Sequence, residues 1–233
     1  LSLSPDLVAT LEKITTATIT TMLLKKGIRH CWMRGPMPFT GAGKRIVGPA
    51  FTLRFVPVRE DLATPASWGH PISTRAAIEA MPEGCIAVTD AMGVTTAGIF
   101  GDILCMRMQR RGVKALVTDG VVRDKAGVVA TGLPVWCAGT AAPASVNGLT
   151  FVGWQEPIAC GGVAVFPDDV IVMDDDGVVL IPKDLVGFIA EEGEEHERYE
   201  SWVVSEVEQG VVLPGLYPPN DEAKARYEAW KKR

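Results

Sequence analysis

Apolar and polar positions follow two periods along this chain, and the change from one to the other marks its elements. Between residues 4 and 26, Leu7, Leu11, Ile14, Ile19, Met22 and Leu23 recur largely at three- and four-residue intervals, the spacing of one helix face. Ser4-Pro5-Asp6 supplies a capped start and Gly27 an end. The threonine-rich middle crowds a helix with β-branched side chains, so a break near Thr16–Thr18 is expected. Residues 30–43 read as a Pro/Gly-rich loop and Ile46–Val56 as a strand pair interrupted or bulged at Gly48-Pro49. Residues 57–70 form a polar loop carrying Trp68-Gly69-His70, and Thr74–Met81 a short amphipathic helix.

From residue 85 to 138 short apolar runs alternate with helical ones. Cys85–Thr89 reads as a buried strand ending at Asp90, and Ala115–Thr118 and Leu133–Ala138 as two more. Ile103–Arg111 is a helix capped by Asp102 and stopped by Gly112, and Ala126–Ala130 a shorter one ended at Gly132. This alternation predicts parallel βαβ units. After Thr150 the pattern is β throughout, with Val170–Asp174 and Val178–Pro182 joined by the hairpin turn Asp175-Asp176-Gly177. Residues 183–209 read as one or two acidic helices. The aromatic tail, with a charged helix running to Arg233, packs on its own body or on a neighbouring subunit. The fold class is α/β, a mixed and partly parallel sheet with flanking helices: one domain over 1–212 and a C-terminal extension over 213–233.

Composition narrows the function classes. With 233 residues, 47% hydrophobic and 22% charged, the chain can bury a core unaided, and no apolar run approaches the roughly 20 residues of a membrane span. Leu1-Ser-Leu-Ser lacks the basic start and apolar block of a secretory leader. A net charge of −5 and a pI near 5.3 argue against nucleic acid as a partner. Five widely spaced cysteines, at 31, 85, 105, 137 and 160, fit reduced buried thiols in a cytoplasm better than disulfides or zinc.

Two apparent motifs reduce to turns. Gly41-Ala-Gly-Lys44 lacks the spacing and the following Ser/Thr of a phosphate loop, and Asp174-Asp-Asp-Gly177 lacks the alternation and distal Glu of a calcium loop. The three histidines, 30, 70 and 196, share no metal spacing; His70 is the one placed to line a site. The stretch Gly101–Asp124 is different. A helix start and a strand end in an α/β layer commonly face one crevice, so Asp102, Arg123 and Asp124 can converge. The Ile103 and Leu104 amides at the helix start suit a carboxylate, Arg123 a carboxylate or enolate oxygen, and the two aspartates magnesium or manganese holding several waters. The same residues also fit a plain helix cap and a surface ion pair in a turn, and spacing alone does not choose.

Asp102, twenty intervening residues and then Arg123-Asp124, set within Gly-Asp-Ile-Leu and Arg-Gly-Val-Lys-Ala-Leu-Val-Thr-Asp-Gly-Val-Val-Arg-Asp, resemble the signature of the RraA-like proteins. That family comprises metal-dependent 4-hydroxy-4-methyl-2-oxoglutarate/4-carboxy-4-hydroxy-2-oxoadipate aldolases and the regulators of ribonuclease activity A. The likeness extends through Ile46–Thr52, Pro82–Val88, the Val170–Pro182 hairpin and the Glu200…Gly210 spacing.

The resemblance implies a swivelling α/β/β domain in homotrimers or homohexamers with interfacial sites. By the same likeness Asp124 binds Mg²⁺ (or Mn²⁺), Asp102 holds it through water, and Arg123 meets the pyruvate carbonyl. Gly101, Ile103 and Leu104 form the carboxylate-binding turn, and Glu200 comes from the adjacent subunit, making Arg123, Asp102 and Glu200 the catalytic set. The implied activity is cleavage of a 4-hydroxy-2-oxo acid to pyruvate plus a second oxo acid, with oxaloacetate decarboxylation as a side activity. The rivals are a protein-binding regulator of ribonuclease activity and a lyase or dehydratase of a sugar-derived 2-oxo acid. The N-terminal segment and the tail after Gly210 depart from the short family members.

Overall fold

The structure, a computed structural model, describes residues 3–232; Leu1, Ser2 and Arg233, on which the leader reading and the far end of the tail partly rest, lie outside the described residues. The chain opens with two short helices, α1 (Pro5–Leu11) and α2 (Thr16–Lys25). The break lies between them at residues 12–15, earlier than the threonine content suggested. Thr15 is the cap, its hydroxyl accepting from Thr18 N at 3.1 Å, while Thr20 and Thr21 satisfy their hydroxyls on Ala17 O and so are tolerated inside the helix. Two short strands, β1 (Trp32–Met33) and β2 (Met37–Pro38), interrupt the expected loop.

The next strand, β3 (Ile46–Pro57), is continuous for 12 residues and is not broken at Gly48-Pro49. It changes partner there instead. Residues 46–49 pair antiparallel with β10 (Val170–Asp174), and 50–54 pair parallel with β4 (Ile86–Asp90). Pro49, which has no N–H to donate, sits at the hand-over, where the ladder loses least. The irregularity falls at Arg54/Phe55, within the antiparallel ladder that residues 53–57 make with β7 (Leu149–Trp154).

A helix, α3 (Thr74–Ala80), precedes β4. Beyond β4 come α4 (Asp102–Arg110), β5 (Ala115–Thr118), α5 (Lys125–Thr131) and β6 (Val135–Cys137), and β3–β4–β5–β6 are parallel as the alternation predicted. A small hairpin of β8 (Ile158–Cys160) and β9 (Val163–Val165) stands apart from the main sheet, and β11 (Gly177–Ile181) closes the Asp175–Gly177 hairpin with β10. The main sheet runs β1-β11-β10-β3-β4-β5-β6-β2, with β7 added on β3. This is the mixed sheet with flanking helices.

Three apolar layers hold it. Phe51, Leu53, Phe55, Ile78, Phe100, Cys105 and Leu116 join one sheet face to α3, α4 and α5. The opposite face packs Ile86, Val88, Val117 and Trp136 against the β8–β9 hairpin, and α1, α2 and the start of α6 cover β10 and β11 through Leu11, Ile19, Leu23 and Ile189. The acidic run is one 23-residue helix, α6 (Val186–Glu208), after a single 3₁₀ turn. Glu197 on α6 accepts from Thr15 N at 2.7 Å and so ties the α1–α2 corner to it. The tail folds back on the same helix: Leu216 with Ala223 and Tyr227 of α7 (Asp221–Trp230) encloses Trp202.

No single helix among the described residues is long and apolar enough to cross a membrane. The five cysteines are buried and unpaired. Burial pushes the Cys85 thiol up to about 11 and that of Cys105 to about 12, so neither forms a thiolate near neutrality. Ellman's reagent is therefore expected to titrate essentially none of the thiols in the native protein and all five after denaturation.

Candidate functional site

After β5 the chain continues extended through Asp119–Arg123, held between two other segments. Ile99 N donates to Val121 O at 2.9 Å and Arg123 N to Phe100 O at 2.9 Å on one side; on the other, Val122 N donates to Gly139 O and Ala141 N to Val122 O. This three-ply arrangement fixes Arg123 directly beside the start of α4. Asp124 then caps α5 in the left-handed region, at φ 55° and ψ 48°. Few residues other than glycine tolerate that conformation, Asp among them, and such positions concentrate at functional sites.

Each of the two acids lies against a backbone position that carries no side chain. A Cβ on Gly101 would stand 2.4 Å from Asp124 Oδ2, and one on Gly127 would stand 2.6 Å from Asp102 Oδ2. Asp102, Ile103, Leu104, Arg123 and Asp124 consequently line one cleft of about 320 Å³, closed by Trp68, Arg75 and Ser145. Within it Arg123 Nε donates to Asp124 Oδ2 at 3.0 Å, and Asp102 Oδ1 accepts from Ile103 N at 2.7 Å. Both partners of the Arg123–Asp124 pair remain partly exposed, so the pair is open to exchange for other ligands.

Of the residues expected from the sequence, the structure brings together Gly101, Asp102, Ile103, Leu104, Arg123 and Asp124. Glu200 is elsewhere in the chain: it sits on α6, accepting from Tyr217 Oη at 2.8 Å and facing His196 Nε2 at 3.1 Å. Trp68, Thr74, Arg75 and Ser145 line the cleft without having been singled out for it. Arg75 lay on the polar face of a short amphipathic helix, where a cation is ordinary, and residues 139–148 carry no period at all. His70 lines a neighbouring cavity.

The donor set fits a hard cation. Two carboxylates share the cleft, Gly101 leaves open the space beside Asp124 that a Cβ would fill, and no cluster of three His, Cys, Asp or Glu forms among the described residues. Such a sparse oxygen set suits Mg²⁺ or Mn²⁺ retaining most of its water and does not suit zinc.

The profile of the RraA-like family (Aldolase/RraA) matches residues 16–180, most of the chain. The chain belongs to the RraA-like family. Among relatives, a Halalkalibacterium halodurans protein provisionally named 4-hydroxy-4-methyl-2-oxoglutarate aldolase is 38% identical over 140 residues, 60% of each chain. Protein DlpA of Legionella pneumophila is 32% identical over 142 residues, 61% of this chain and 22% of its own length. The RraA-like chain thus spans less than two thirds of either relative. The crystal structure of Streptomyces coelicolor RraAS2, described as an unusual member of the RNase ES inhibitor RraA protein family, superposes with a TM-score of 0.77 at 34% identity, covering 87% of this chain and 97% of that one.

Proposed function

We propose that the protein is a divalent-metal-dependent lyase that cleaves a 4-hydroxy-2-oxo acid to pyruvate and a second carbonyl compound. The observation that carries this reading is the convergence of Asp102, Arg123 and Asp124 on one cleft beside an open helix start. Asp124 would hold the cation directly and Asp102 through water; when bound, that cation supplies a positive charge to the substrate's carboxylate and keto oxygens.

The chain's own groups account for the rest. The amides of the first α4 turn take the carboxylate, with the Ile103 N–H released from Asp102 Oδ1 to do so. The Arg123 guanidinium, turned from Asp124, donates to the keto oxygen as negative charge develops there. The C4 hydroxyl gives its proton to a carboxylate of the cleft, the C3–C4 bond breaks with its electron pair moving into the enolate, C4 becomes a carbonyl, and the same carboxyl group returns the proton to C3 to give pyruvate. Decarboxylation of oxaloacetate passes through the same enolate and is expected as a side activity.

Purified protein stripped with EDTA is expected to be inactive on oxaloacetate in a pyruvate-coupled assay, with Mg²⁺ or Mn²⁺ restoring turnover; activity indifferent to chelation would refute the metal role. Gly101→Ala is expected to lower that turnover by up to about 10²-fold by displacing the Asp124 carboxylate, with the thermal transition little changed. Ile103, 78% exposed at the cleft mouth, and the placement of Glu200 on α6 favour a site completed by a neighbouring subunit in a trimer or hexamer. Light scattering showing a monomer would remove Glu200 from the mechanism.

The likeness to RraAS2 supports a second reading, in which the same fold masks a ribonuclease. That reading needs neither Asp124 nor a metal, so capture of a ribonuclease together with no metal-dependent turnover of any 2-oxo acid reverses the ranking.

A further inference from the structure

Beside the cleft lies a second cavity of different character. Trp68, Thr74 and Ser145 line both. The second cavity, about 280 Å³, is walled by Phe55, Leu62, Trp68, Ile72, Val146 and Phe151, and no Asp, Glu, Lys or Arg lines it. Its titratable group, His70, has Nδ1 occupied by the Ile72 N–H at 3.0 Å.

The aromatic walls are braced by their neighbours. Phe55 is buried and meets Phe151 edge-on at 5.1 Å, Phe151 stacks with Trp154, and Trp68 is braced by the Arg75 guanidinium 4.9 Å above its ring. A volume well above the roughly 150 Å³ that admits benzene leaves room for a phenyl or branched alkyl group. A carboxylate there would lose its water with no cation to meet it.

Building on the lyase reading, we propose that this cavity receives the substituent on C4, so that the substrate is a 4-hydroxy-2-oxo acid bearing an apolar or aromatic group and the second product is an apolar aldehyde or ketone. Cleavage breaks the O–H bond of the C4 hydroxyl and the C3–C4 bond, makes the C4 carbonyl, and returns the hydroxyl proton to C3. The competing design, a second carboxylate on C4, would have to turn toward Arg75 on the cleft wall.

Two inert analogues lacking the 4-hydroxyl, 2-oxo-4-phenylbutanoate and 2-oxoglutarate, separate these cases by calorimetry on the Mg²⁺-loaded protein. The phenyl analogue is expected to bind at least about ten-fold more tightly, the effect of burying one aromatic ring. Leu62→Asp and Ile72→Asp, at half-exposed positions, are expected to erase that preference. In turnover, kcat/KM for 4-hydroxy-2-oxo-4-phenylbutanoate, read by release of benzaldehyde, is expected to exceed that for 4-hydroxy-4-methyl-2-oxoglutarate by a similar factor. Equal or reversed preference in the unmodified protein overturns the assignment and moves specificity to Arg75. Metal-dependent decarboxylation of oxaloacetate is the control for the reading beneath it. If decarboxylation is present while the phenyl preference is absent, the cavity assignment alone fails; if it too is absent, the lyase reading fails first.

Discussion

Asp124→Asn is expected to lower metal-dependent turnover of oxaloacetate by about 10²–10³, the usual effect of removing one preorganised charge, while the unfolding free energy stays within about 0.5 kcal/mol. The second half of that expectation comes from the backbone. Asp124 lies at φ 55°, a region Asn occupies as readily as Asp, and the Asp124 side chain makes no capping hydrogen bond to α5. Replacement by Asn therefore removes a charge and the proposed metal ligand without disturbing the helix it precedes. Asp124→Gly is expected to be equally inactive yet more stable than Asp124→Ala by up to about 1 kcal/mol, because glycine alone relieves the left-handed conformation. Arg123→Ala should fall as far as Asp124→Asn, and Arg123→Lys should recover little, since a compact ammonium does not reproduce the planar fork. The two residues touch, so their losses should not add: the double variant is expected to be little worse than either single one. Turnover of Asp124→Asn equal to the unmodified protein would end the lyase assignment.

The parts of this site legible in the sequence were those carried by local rules. The helix start, its stop at Gly112 and the strand Ala115–Thr118 follow from capping signals and apolar runs and place Asp102 and Arg123-Asp124 on adjoining elements. The cap itself, however, is Gly101, and Asp102, expected to be the cap, is the first residue of the helix with its carboxylate turned to Ile103 N. What adjacency could not supply was the packing that makes the crevice. Gly127 looks like any helical glycine, and only the closeness of Asp102 shows why no side chain fits there. Gly48-Pro49 has the composition of a break, but a strand that exchanges one partner for another at that point absorbs the missing N–H. Glu200 was placed by its distance from Gly210, a spacing that fixes a position on α6 and says nothing about which cleft the carboxylate reaches. Arg75 and Trp68 were unreadable for the same reason: a cation on an amphipathic helix and an aromatic in a loop acquire meaning only when they are found stacked 4.9 Å apart on the wall of a cavity.

Trp136→Ala is expected to destabilise the protein by about 3–5 kcal/mol, the range for truncating a buried large aromatic, measured as a lowered urea midpoint with an unchanged slope. The ring is fully buried among Ile86, Val117 and Val178, and Trp136 Nε1 donates to Asp174 O at 2.9 Å. Two stretches that superficially suggested ligand sites meet here. Gly41 lies so close to the indole that a Cβ would come within 2.0 Å of it, and Gly43 N donates to Asp175 Oδ1 at 2.8 Å. The Gly41–Lys44 turn and the acidic hairpin thus clamp one another over Trp136, with the Asp174 carboxylate taken up by Thr16. Trp136→Phe keeps most of the packing and strands the Asp174 carbonyl, so it separates the two contributions: a loss near about 1–3 kcal/mol is expected from the missing partner and the smaller ring. The consequence reaches the cleft. β6 leads from Trp136 through Cys137 to Gly139 and Ala141, whose backbone holds Val122 beside Arg123. Loosening β6 should therefore lower oxaloacetate turnover in Trp136→Ala even at temperatures where the protein remains folded, whereas Trp136→Phe should keep it. Full activity in folded Trp136→Ala would show that the segment from Phe100 to Gly101 positions Arg123 alone.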